Sequence, residues 1–203
     1  MPDMLSLPVR DFVAATAAKH PTPGGGSVGA LCGALAAALA AMAVEFTIGK
    51  KKFLPYDDEL KAALERFHTA TAMFEEIIEE DIAAYEGLSP LLKLPDPKSD
   101  PNYVTAVVAA LRAPQTAAGF AFNVLEQCAG LLDKTTKFLV SDLASAAALA
   151  HAVVHVSQLN VLVNVPLLPN PEEGAALRQS IAELVQKADR VYADFRVQFL
   201  QRL

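Results

Sequence analysis

The sequence has no tryptophan, and aromatic residues make up only 7% of it. A core without large rings must be filled by many small side chains. Ala, Leu and Val supply them here, which suits closely packed helices. Cysteine is nearly absent: Cys32 and Cys128 are the only two. They have neither metal-binding spacing nor a disulfide framework, so buried, reduced thiols and a cytoplasmic location are expected. Basic charge is also in short supply, with 17 Lys and Arg against 23 Asp and Glu and a net charge of −6. That balance argues against nucleic acid as a partner, because phosphate binding needs a basic surface. Met1 to Phe12 lacks a basic region followed by an apolar core, so no signal peptide is expected. No segment alternates as a strand should; the β-prone run Val161 to Val165 lies inside a longer helical pattern.

What the chain has in abundance is apolar residues, at 53% of 203, with a mean hydropathy of +0.29. Its length fits one domain, residues 1–203. The apolar content exceeds what a small monomer readily hides, which predicts a subunit interface. Gly24 to Val44 and Leu143 to Pro171 carry no formal charge. The first is mostly Ala and Gly. The second contains His151, His155, Ser157, Gln158, Asn160 and Asn164, which would be costly in hydrocarbon. Both are expected as buried helices of the bundle rather than membrane spans.

The punctuation predicts helices over Val9–Ala18, Val28–Thr47, Asp57 or Asp58 to about Glu86, Tyr103–Leu132, Asp142 to about Val165, and about Glu172 to Leu200. Ser27 is the expected N-cap of the second, and Gly49 ends it. Pro90, Pro95, Pro97 and Pro101 mark a loop, and Pro114 should kink or interrupt the fourth helix. The fold class is therefore all-α, a multi-helix bundle.

The third helix is the most legible. Leu60, Leu64, Phe67, Phe74, Ile78 and Tyr85 recur at alternating four- and three-residue steps, with Thr71 and Asp81 filling the gaps. Asp81 thus occupies an inward position, unlike Glu75, Glu76, Glu79 and Glu80. A carboxylate there must find a partner, shift its pKa or face a cleft; it is either a helix-pairing aspartate or a functional acid. Asp142 and Asn160 fall in a similar stripe on the fifth helix, and Asn164 lies one turn beyond. Ser141-Asp142 also reads as a helix start. The two asparagines either bridge helices or present polar edges to a heterocycle.

Gly24, Gly25 and Gly26, followed by Ser27, feed a helix N-terminus, whose free amides suit an anion or a carbonyl oxygen. The glycine spacing fits a dinucleotide fingerprint, but no strand precedes it, and no lysine completes a phosphate loop. Lys50, Lys51 and Lys52 are suited to a small anionic ligand. His151 and His155 are spaced by four but lack the intervening glutamate of a zinc protease, so no metal is expected.

Several of these pieces occur together, in order: Pro-Thr-Pro-Gly-Gly-Gly-Ser at 21–27, Thr-Ile-Gly-Lys-Lys-Lys-Phe at 47–53, Asp-Ile-Ala-Ala-Tyr at 81–85, Ser141-Asp142, and Asn-Val-Leu-Val-Asn at 160–164. The chain resembles the cyclodeaminase/cyclohydrolase family. That family comprises the C-terminal domain of formiminotransferase-cyclodeaminase and the stand-alone methenyltetrahydrofolate cyclohydrolases. The resemblance covers nearly the whole chain. Thr136 stands where members often carry Asn, and Lys93 to Pro101 is mostly proline turns where members are rich in charge.

The resemblance implies a helical homodimer binding a folate derivative near the subunit interface, with no cofactor beyond the tetrahydrofolate substrate. It places the catalytic aspartate at Asp81. Gly24, Gly25, Gly26 and Ser27 would shape the pocket. Asn160 and Asn164 would hold polar edges, Asp142 would join the site, and Lys50, Lys51 and Lys52 would attract the glutamate tail. Whether the reaction is cyclohydrolysis or cyclodeamination stays open, as does a non-catalytic folate-binding or scaffolding dimer.

Overall fold

A computed structural model describes residues 4–202. Six α-helices account for most of these: α1 (Val9–Ala17), α2 (Gly25–Glu45), α3 (Asp57–Leu91), α4 (Tyr103–Leu131), α5 (Val140–Asn164) and α6 (Pro171–Leu200). The described residues contain no strand, as the periodicity predicts. Helices α2 to α5 form a four-membered bundle in which each packs against the next and α5 closes back on α2; α6 lies across α4 and α5.

Small residues on α2 allow its neighbours close. A Cβ on Gly33 would lie 2.4 Å from Cε1 of Phe74 on α3, and one on Gly29 would lie 2.9 Å from Cγ1 of Val156 on α5. These contacts give the register. Gly33 faces Phe74 and Gly26 faces Asp81, seven residues along each helix in opposite directions. Gly29 faces Val156 and Gly25 faces Asn160, again antiparallel. Helices α3 and α5 therefore run on past the point where α2 begins. The α3 stripe is buried at Leu60, Phe67, Phe74 and Ile78, but Tyr85 is exposed because no α2 residue remains to cover it.

Several boundaries differ from expectation. Helix α2 starts at Gly25 rather than Val28, so Ser27 sits in the first turn and does not cap. Helix α3 continues through Pro90 to Leu91; Leu88 and Leu91 pack on Tyr103, Val107 and Leu111 of α4, and this burial holds the last turn. Helix α5 begins at Val140 with Leu139 in the capping position, so Ser141 is not the cap and Asp142 lies in the first turn, where an acid suits the helix dipole. Among the described helices, Asn170 is the one N-cap whose side chain makes the capping bond, accepting from the Glu172 N–H at 3.0 Å.

Pro114 lies inside an unbroken α4. Proline has no N–H for the carbonyl four residues earlier, that of Ala110. The Asn164 Nδ2 donates to that oxygen at 3.1 Å, supplying the missing bond from the neighbouring helix. Asn164→Ala should therefore cost about 1–3 kcal/mol of stability. Pro114→Ala restores an N–H for Ala110 and should remove most of that cost in the double variant. Urea unfolding of the four proteins checks this: equal losses in both backgrounds would break the link.

Helices α2 and α5 are each long and apolar enough to cross a membrane by length and composition alone. In this structure most of α2 is buried among its neighbours. Its outward side is a stripe of Val28, Leu31, Leu35, Ala38, Met42 and Phe46, in which Leu35 is 55% and Phe46 60% exposed.

Candidate active site

A cleft of about 300 Å³ opens where α2 stops and α3 and α5 continue. Gly24, Gly25 and Gly26 form one wall, Asp81 and Tyr85 of α3 a second, and Asn160 and Asn164 of α5 a third. Asp81 is half-buried, and its Oδ2 accepts the Ser27 hydroxyl hydrogen bond at 2.7 Å. Gly26 is required by this arrangement: a Cβ there would lie 2.0 Å from Asp81 Oδ1. The acid thus finds a partner and also faces a cleft.

Asn164 has committed both of its N–H donors, and Asn160 one of its two. Asn160 Nδ2 donates to the Val156 carbonyl at 2.8 Å. Asn164 Nδ2 donates to the Ala110 and Asn160 carbonyls, each at 3.1 Å. Because a carbonyl oxygen can only accept, these orientations are chemically required. Both amide oxygens remain as acceptors beside the Asp81 carboxylate. The donors on the opposite wall are the first-turn N–H groups of α2, which have no intrahelical partner. The cleft therefore suits a ligand with a donor-rich edge, a cationic centre near Asp81 and an acceptor near the glycines.

Some expected residues lie elsewhere. Lys50, Lys51 and Lys52 follow the C-terminal end of α2, about 30 Å along that helix from the glycines at 1.5 Å per residue. Asp142 is at the same end, where the Thr136 N–H meets Thr47 Oγ1 at 3.3 Å. None of these four lines the cleft. The lining residues that sequence reasoning did not assign to the site include Tyr85, placed in the core stripe, and Ala110, whose carbonyl carries the Asn164 bond. The signal for Tyr85 was its position beyond any possible α2 partner, which needs the inter-helix register to read.

A larger groove of about 530 Å³ between α2 and α3 includes Ala38, Met42 and Leu64. It adjoins the outward apolar stripe of α2, and Glu45, His68 and Glu75 also line it. Both thiols are free. Burial raises the pKa of each, most strongly for Cys128, so neither is an activated nucleophile. His151 and His155 are absent from the cleft lining. They face α6, where Asp189 is held below the usual carboxylate range, chiefly by its hydrogen bond with His151.

The chain is similar to known proteins over almost its full length. It is 30% identical to pig (Sus scrofa) formimidoyltransferase-cyclodeaminase over 91% of this chain and 35% of that protein. It is 29% identical to the methenyltetrahydrofolate cyclohydrolase of Methylorubrum extorquens, over 77% of this chain and 78% of that one. The chain thus spans about a third of the length of the mammalian relatives it matches. Among solved structures, the formiminotetrahydrofolate cyclodeaminase of Thermotoga maritima superposes with a TM-score of 0.83 at 26% identity, covering 98% of this chain and 96% of that one. The family described as formiminotransferase-cyclodeaminase matches residues 8–183. With that match spanning most of its helices, the chain belongs to the formiminotransferase-cyclodeaminase family.

Proposed function

We propose that this chain is an enzyme acting on the one-carbon bridge of a tetrahydrofolate, as a methenyltetrahydrofolate cyclohydrolase or a formiminotetrahydrofolate cyclodeaminase. The observation that carries the reading is Asp81, anchored by Ser27 and aimed into a cleft between the glycine turn and two asparagines. In cyclohydrolysis, water adds to the cationic methenyl carbon and the ring opens at one C–N bond. In cyclodeamination, the second bridge nitrogen attacks the formimino carbon and ammonia leaves. Both pass through a tetrahedral carbon between two nitrogens that is formed from, or collapses to, an amidinium cation. Asp81 stabilises the cation, takes the proton of the attacking group and returns it to the leaving nitrogen. Both reactions are redox-neutral, so the proposal requires no cofactor beyond the folate.

The proposal includes a homodimer. The outward stripe of α2 carries no charge between Val28 and Val44 and centres on Leu35, midway along the helix. A second copy packed antiparallel about Leu35 would set Phe46 of one chain beside the partner's Gly24. Lys50, Lys51 and Lys52 would then stand near the partner's cleft, within reach of a glutamate tail. Replacing the three lysines with Gln should raise KM for polyglutamylated folate and leave kcat near its original value. An unchanged KM would remove them from the site.

Assaying both substrates side by side, paired with calorimetric titration of the folate, tests the reading. Turnover of either substrate supports it. Binding without turnover favours a non-catalytic module, and the absence of both overturns the folate reading.

A further inference from the structure

His151 and His155 stand one turn apart on α5 and face Asp189 of α6. Their Nε2 atoms are 3.2 Å from each other. Asp189 Oδ1 lies 2.7 Å from His151 Nε2 and 2.8 Å from His155 Nε2. Three potential ligand atoms therefore converge on one point from two helices. Protons cannot satisfy all three contacts. The carboxylate oxygen accepts only, so each histidine must use its Nε2 proton on Asp189, and the two N–H groups then oppose each other at close range. If either proton is absent, a nitrogen lone pair faces the carboxylate instead. A single cation makes all three contacts attractive.

We propose that His151, His155 and Asp189 form a binding site for a divalent transition-metal ion of the zinc class, which ties α6 to α5. The triangle of 3.2, 2.7 and 2.8 Å lets one ion stand about 2.0–2.1 Å from every corner, the bond length zinc makes to imidazole and carboxylate. Two nitrogens and one oxygen select zinc, cobalt, nickel or copper over magnesium and calcium, which prefer all-oxygen sites. Tyr192, three residues beyond Asp189, stacks on the His151 ring at 4.4 Å and 17°, which restricts the turning of that ring. His155 and Asp189 are each partly open to solvent, leaving further coordination positions to water. The sequence shows only the histidine pair; the third ligand lies 34 residues further on and comes into place through α5–α6 packing. The proposal does not depend on the folate reading, because these residues do not line the cleft.

Chelator-treated protein titrated with zinc chloride tests it. One saturable site per chain is expected in the micromolar range or tighter. At a hundredfold excess over Kd the midpoint of thermal unfolding should rise by about 5–10 °C. Cobalt should give a visible d–d absorption band, and magnesium should do neither. Asp189→Asn keeps the side-chain shape and His155→Ala removes one ligand; both should lose the zinc shift and the cobalt band. Variants of the chain's other two histidines, His20→Ala and His68→Ala, should keep both. Failure of zinc to bind, an equal response to magnesium, or a shift that survives in both ligand variants overturns the proposal.

Discussion

Asp81→Asn should fold as the parent does and lose about 100- to 10,000-fold in kcat on methenyltetrahydrofolate or formiminotetrahydrofolate. Asparagine has the same shape and can still accept the Ser27 hydroxyl bond, now at 2.7 Å to Asp81 Oδ2. It cannot carry a proton between the attacking and leaving groups, and it cannot balance an amidinium cation. The loss should therefore fall on turnover, with KM changed much less. Gly26→Ala offers an independent route to the same end. Its methyl group would collide with the Asp81 carboxylate, so activity should fall with the acid still present in the chain. Steady-state kinetics and circular dichroism on both variants make the check. Parental turnover in Asp81→Asn would take this residue out of the chemistry.

Gly33→Ala should destabilise the bundle by about 1–3 kcal/mol, lowering the unfolding midpoint by several degrees. The added Cβ would sit 2.4 Å from the ring of Phe74, which is fully buried and cannot turn aside. Alanine is the better helix former by about 0.5–1 kcal/mol, so the expected sign depends wholly on that contact. Gly119 provides the contrast. It lies in α4, and a Cβ there meets nothing within 4 Å. Gly119→Ala should therefore raise the midpoint slightly. Thermal unfolding of the pair decides the matter: a rise in both would mean that α2 and α3 are not in close contact at Gly33.

Local pattern made the helices legible. The four-and-three spacing on α3 locates its buried face through Ile78 and isolates Asp81 as an acid on an apolar stripe. What the pattern could not supply is register between helices. Tyr85 continues the stripe, yet it lines the cleft because α2 has already ended. Ser27 looks like a cap, but its hydroxyl goes to Asp81, 54 positions away. Helix α3 ends at Leu91, beyond the stop that Pro90 signals as a breaker, because burial of Leu88 against α4 keeps the turn helical. Lys50, Lys51, Lys52 and Asp142 belong to the same ordered set of motifs as the cleft residues, but a single chain places them at the far end of the bundle. Sequence order carries no information about which end of a bundle a motif occupies.

The amide of Asn164 belongs to two structures at once, the lining of the cleft and the repair of α4 at Pro114. Any ligand group that claimed its N–H would leave the Ala110 carbonyl bare, and the cost would be charged against binding. Ligands that need only its oxygen escape that cost. The proline on α4 thereby biases one corner of the cleft: at Asn164 it favours ligand donors over acceptors, although Pro114 is not among the residues that line the cleft.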